Sequence, residues 1–131
     1  GVMAANDALY SDCIVCIDIK SGTCEVVAET HKTHVTALAS PPLEGGPWGG
    51  TIFYFWVEEV GLFCMKWANR QFHVDAIIVG PKANVGVRSL LFNNRNELLG
   101  FGSHMWNIDP NRHVLVLEKS LPLATRGVAI L

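Results

Sequence analysis

The sequence predicts an all-β protein made of short antiparallel strands, and three observations support this fold class. Short apolar runs alternate with turn sequences such as residues 18–22 and 109–112, which combine Asp with Gly, Pro or Asn. No apolar spacing of helical period persists over the roughly 11 residues that a helix assignment needs. One pattern of four strands recurs about three times along the 131 residues. The sequence therefore predicts a repeat protein.

The repeat is defined by a Val-x-x-Leu motif in its first strand. The motif begins at Val35, Val87 and Val128, which are separated by 52 and 41 residues. We predict second strands at residues 8–10, 51–55 and 97–101, third strands at 14–18, 62–66 and 105–109, and fourth strands at 24–27, 72–74 and 114–117. A Pro- and Gly-rich insert at residues 41–50 explains the longer spacing.

Four short strands every 40 to 50 residues, with an x-Ile-Asp third strand and a Val-rich fourth strand, resemble the blades of six- and seven-bladed β-propellers. The resemblance covers nearly the whole chain and is specific for architecture, not for function. It implies one propeller-like domain over residues 1–131, with repeats at about 1–34, 35–86 and 87–127. A β-sandwich or a small barrel also produces many short strands, and both remain alternatives.

About three blades are too few to close a ring, which typically needs about four to eight. We therefore expect another chain to complete the ring, either a second copy forming a six-bladed dimer or a complementary chain. The composition agrees, because 50% of the residues are hydrophobic and only 17% are charged. Such a chain either buries its strands on both faces or presents an apolar surface to a partner, although a dense core is the simpler explanation.

Charge and hydropathy exclude several classes of partner. The net charge is −2, with no basic stripe, so nucleic acid is not expected. No apolar run approaches the roughly 18 residues of a membrane helix, so we expect a soluble chain with no membrane partner. No signal peptide is visible in the sequence.

The four cysteines indicate a reducing compartment. Cys13 and Cys16 form a CxxC motif, but they lie three apart on a predicted strand and so point to opposite faces, which suits neither a metal nor a redox pair. We predict that the cysteines are buried free thiols and that the protein is cytoplasmic. No metal or other cofactor is expected, and His31 and His34 are interpreted as surface loop residues because zinc needs more ligands.

No nucleophile elbow, phosphate-binding loop or dinucleotide fingerprint occurs, so catalytic residues are not identified. Propeller geometry places a site at the channel mouth, where the loops entering the first strand and those between the second and third strands meet. Two arginines and two histidines there would suit a small polar or anionic ligand. The candidate ligand-binding residues are His34, Arg88, Arg126, Trp56, Glu58 and His104.

Three functions follow as hypotheses. The first is a ligand-binding or protein-interaction propeller without catalysis, because no catalytic constellation accompanies the repeat. The second is a small-molecule hydrolase, lyase or cyclase with its site at the channel. The third is a carbohydrate-binding propeller, suggested by the four tryptophans, although Trp67 and Trp106 do not share one repeat position.

Overall fold

A computed structural model describes residues 12–41, 51–80, 85–109, 114–122 and 128. Within these ranges the chain forms ten β-strands and no helix, which confirms the all-β prediction. The strands are β1 (Cys13–Ile17), β2 (Cys24–Glu29), β3 (Val35–Ala39), β4 (Thr51–Val57), β5 (Gly61–Ala68), β6 (Gln71–Val79), β7 (Val87–Phe92), β8 (Leu98–Gly102), β9 (His104–Asp109) and β10 (Val114–Ser120). The described residues therefore contain no helix that is long and apolar enough to cross a membrane.

The chain divides into two compact units, Gly1–Val35 and Thr36–Leu131. The first unit contains the antiparallel hairpin β1–β2. Its turn forms because the Asp18 carboxylate accepts hydrogen bonds from the backbone N–H groups of Lys20 and Ser21, while Gly22 adopts a φ of 73°. This is the turn chemistry expected of an Asp–Gly segment.

The second unit contains two four-stranded antiparallel sheets, ordered β3-β4-β5-β6 and β10-β9-β8-β7. In each sheet, strands that follow one another in the chain are hydrogen-bonded neighbours, and each sheet falls within one predicted repeat. All the predicted strands within the described residues are present. Those at 8–10 and 128–131 lie outside the described residues, apart from Val128.

One face of each sheet contributes to a shared core. Tyr54, Trp56, Leu62 and Cys64 of the first sheet cluster with residues of the second sheet. The second sheet contributes Val87, Leu90, Leu98 and Ile108. Within β4 and within β5 these cluster members lie two residues apart, so they share one face of the sheet. Burial raises the pKa of the Cys64 thiol, which keeps this cysteine protonated.

The opposite face of the first sheet is also apolar. Phe53 pairs with Met65 and Phe55 with Phe63, and the Phe55 and Phe63 rings stack at 5.6 Å. Val74 lies on this face, next to Met65, and is 45% exposed. Strands that are apolar on both faces account for the low charge content of the chain.

The cysteines correct one prediction. All four are free thiols, but only Cys64 is buried, and Cys13, Cys16 and Cys24 are exposed. The prediction of buried thiols was wrong for these three because the described part of the first unit is a two-stranded hairpin, which is too small to bury a face. The hairpin contains a bulge at Val27 of β2, which pairs with no residue of β1. Because the bulge lies on β2, successive side chains of β1 still alternate between faces, and Cys13 and Cys16 point to opposite faces, as expected.

Candidate functional site

A cleft of about 150 Å³ lies in the second unit, where the β4–β5 turn faces the segment that leads into β7. Three of its residues, Trp56, Glu58 and Arg88, were candidates from the sequence. Among the described residues, the cleft is lined by Thr36, Trp56, Glu58, Glu59, Val85, Gly86, Val87 and Arg88. The described lining thus combines two glutamates and one arginine with apolar residues, which include Trp56 and Val87.

The β4–β5 turn places the two carboxylates. Val57 pairs with Gly61, and the Val60 N–H donates to the Val57 carbonyl at 3.1 Å, which closes a tight turn. Glu59 has a φ of 61°, a left-handed conformation that is uncommon for a residue other than Gly, Asn or Asp. The turn therefore holds Glu58 and Glu59 at the cleft despite a local backbone cost.

Arg88 and Glu58 form an ion pair across the cleft, with 3.2 Å between Nη2 of Arg88 and Oε1 of Glu58. Their side chains are 42% and 35% exposed. A partly exposed pair with one hydrogen bond contributes about 0.2–1 kcal/mol to stability. The ion pair therefore contributes little to the free energy of unfolding, and its main effect is to hold the Arg88 and Glu58 side chains in place.

The wall opposite the turn depends on close backbone packing. Gly102 pairs with Val87, and a Cβ atom at Gly102 would overlap the carbonyl oxygen of Gly86. Thr36 also fixes this wall, since its hydroxyl donates to the Val87 carbonyl at 2.7 Å. The segment entering β7 is thus held from two directions, by a glycine of β8 and by a hydroxyl of β3.

Thr36 and Glu59 line the cleft but were not among the candidate site residues. A signal for Thr36 exists in the repeat: Thr36 and Arg88 occupy the same position, the second residue of the Val-x-x-Leu motif. Both equivalent positions reach one cleft. Glu59 has no comparable signal, because its place in the cleft depends on the left-handed turn.

His34 belongs to the first unit, where its surroundings are structural. Its Nδ1 lies 3.4 Å from Oδ2 of Asp12, and the same carboxylate oxygen accepts the Val35 N–H at 2.8 Å. The Thr30 hydroxyl donates to the Thr33 carbonyl at 2.8 Å and closes the same loop. The His34 side chain is 50% exposed.

Of the other candidates, His104 is not among the residues that line the cleft. It begins β9, where its Nδ1 lies 3.1 Å from the Ser120 hydroxyl and its ring contacts Trp106 edge-on. Arg126 lies outside the described residues. Trp56 is 1% exposed, so it forms the base of the cleft and offers no open ring face. Among the described residues, no three His, Cys, Asp or Glu side chains are grouped to hold a metal ion.

Comparison of the chain with models of protein families, with curated proteins and with solved structures finds no match. The class that the fold defines is therefore an all-β protein with four-stranded antiparallel sheets. A fold of this class does not by itself specify a function.

Proposed function

We propose that this protein is a non-catalytic binding module that takes a small polar ligand in the Arg88–Glu58 cleft. The observation that carries the proposal is the convergence of Trp56, Glu58 and Arg88, from two different sheets, on one cavity. Opposite charges that are held in place but contribute little to stability suit ligand recognition. An enzyme or a carbohydrate-binding protein remains an alternative hypothesis.

The proposal is tested by adding a panel of polar fragments, comprising amines, carboxylates, polyols and monosaccharides, to ¹⁵N-labelled protein. We expect some fragments to shift the amide signals of Gly86, Val87 and Arg88. Glu58→Gln should weaken this binding, while Glu118→Gln, which removes an exposed carboxylate from β10, should leave it unchanged. Binding that is equal in both variants, or the absence of any shift at these amides, would contradict the proposal.

We further propose that the two sheets are propeller-like blades and that another chain completes the ring. Two features support this assembly. Both sheets follow chain order, and the first strands β3 and β7 are joined by the Thr36–Val87 hydrogen bond, as expected for strands beside a common axis. A sandwich or barrel is the alternative.

The solution mass tests the assembly. Light scattering behind a sizing column should give about twice 14.3 kDa for a ring closed by two copies. A folded monomer of 14.3 kDa that binds no complementary chain would favour the sandwich or barrel.

A further inference from the structure

We infer that the cleft recognises a zwitterion of the α-amino acid class, with an ammonium group beside a carboxylate. This inference rests on the proposed binding function and specifies its ligand. It starts from the two signs of charge in the cleft, whose described lining contains two carboxylate acceptors, Glu58 and Glu59, and one guanidinium donor, Arg88.

Arg88 retains donor capacity for the carboxylate of the ligand. A guanidinium has five N–H donors in a planar fork that matches a carboxylate. The contact with Glu58 uses only one terminal nitrogen, Nη2, at 3.2 Å. Because Arg88 is 42% exposed, its remaining donors are accessible to a second carboxylate from the cleft.

The ammonium group of the ligand is received on the other side of the ion pair. Glu58 carries the carboxylate already paired with Arg88, and Glu59 adds a second carboxylate to the same turn. The described lining therefore has two negative groups and one positive group, which favours a ligand that brings a cation as well as an anion. A bare anion would approach Arg88 beside two carboxylates, which repel it.

The geometry also limits the separation of the ligand's charges. The guanidinium and carboxylate of the cleft are adjacent, at 3.2 Å, so the best complement has its own two charges adjacent and in the opposite order. The charged groups of an α-amino acid are attached to one carbon atom and meet this condition. A cavity of about 150 Å³ admits a molecule of this size.

Three probes with the same carbon skeleton test the inference: 2-aminobutyrate, butyrate and sec-butylammonium. We expect 2-aminobutyrate to bind at least about fivefold more tightly than either single-charge analogue, as measured by shifts of the Gly86 and Arg88 amides. Arg88→Gln should remove the advantage over sec-butylammonium, and Glu59→Gln should reduce the advantage over butyrate. Arg95→Gln and Glu118→Gln are the matched controls and should change neither ratio.

Two results would overturn the inference. If butyrate or sec-butylammonium binds as tightly as 2-aminobutyrate at these amides, the cleft binds ligands but does not require a zwitterion, and the proposed function survives alone. If none of the three probes shifts the amides, zwitterion recognition is refuted. The wider fragment panel then decides the binding function separately.

Discussion

The β4–β5 turn and the β7–β8 turn are both short connections with one non-glycine residue in a left-handed conformation. Their polar side chains differ in what they contact. In the β7–β8 turn, the Asn93 carboxamide oxygen accepts the N–H groups of Arg95 and Glu97, both at 2.9 Å. Glu97 in return accepts hydrogen bonds from the side chains of Asn93 and Asn107. These polar groups are used to hold the turn together.

In the β4–β5 turn, the two glutamates instead line the cleft. Glu58 reaches across to Arg88, and Glu59 lines the cleft from a conformation that glutamate rarely adopts. The other turn places Asn96 in the equivalent left-handed conformation, at a φ of 60°, where asparagine is well tolerated. The contrast distinguishes a turn whose left-handed residue suits its conformation from one whose left-handed residue lines the cleft.

The largest expected effect comes from removing the backbone support of the cleft. Gly102→Ala should lower the free energy of unfolding by about 2–3 kcal/mol, because its Cβ would overlap the Gly86 carbonyl oxygen and displace rigid backbone. Urea denaturation measures the change. Gly86→Ala is the control: no atom lies within 4 Å of its added Cβ, so its effect should stay within about 0.5 kcal/mol. Equal stability of the two variants would contradict this account of the wall.

The next largest effect tests the structural role of the β7–β8 turn. Asn93→Ala removes the acceptor of two backbone N–H groups and one donor to Glu97, and should lower the free energy of unfolding by about 1–2 kcal/mol. Asn94→Ala, in the same turn, serves as the control and should change it by less than about 0.5 kcal/mol. Amide shifts in the cleft should be unaffected by either variant. A disturbance of ligand binding by Asn93→Ala would remove the distinction between the turns.

A smaller effect of opposite sign is expected in the β4–β5 turn. Glu59→Gly should raise the free energy of unfolding by about 0.5–1 kcal/mol, because glycine adopts a φ of 61° without steric cost. Asn96→Gly should raise it less, since asparagine already tolerates this conformation. Thermal unfolding of both variants decides the point, and destabilisation by Glu59→Gly would show that the Glu59 side chain stabilises the fold.

The smallest effect concerns pH. Hydrogen bonds from Asn93, and then from Asn107, lower the pKa of Glu97 below its ordinary value of 4.5. Because the folded pKa is depressed, the stabilisation is complete above pH 4.5 and is lost as the pH falls through the folded pKa. Glu97→Gln should flatten the dependence of stability on pH below about 4.5. An unchanged profile would refute this role.

The sequence predicted strand positions well because apolar runs and turn residues are local signals. The length of β6 was underestimated: residues 72–74 were predicted, whereas Gln71–Val79 is observed. Its polar residues His73 and Asp75 obscure the pattern, and the strand is defined by its pairing with β5. Long-range pairing of this kind leaves little trace in local composition.

The lining of the cleft could be predicted only where the repeat places residues at equivalent positions. Arg88 was a candidate because of its place at the start of a repeat, and Trp56 and Glu58 were candidates because they lie between second and third strands. Glu59 enters the cleft through a backbone conformation, and the exposure of Cys13 follows from the small size of its hairpin. Neither property can be derived from residue type and spacing alone.

The most direct test of the central claim compares Glu58→Gln with Glu97→Gln, which each remove one carboxylate, from the β4–β5 turn and the β7–β8 turn respectively. For both variants, the free energy of unfolding is measured together with the binding of the fragment that binds most tightly in the polar panel. We predict that Glu58→Gln weakens binding while changing stability by at most about 1 kcal/mol, and that Glu97→Gln lowers stability while leaving binding intact. The account would be contradicted if Glu58→Gln left binding unchanged, or if Glu97→Gln impaired it as strongly.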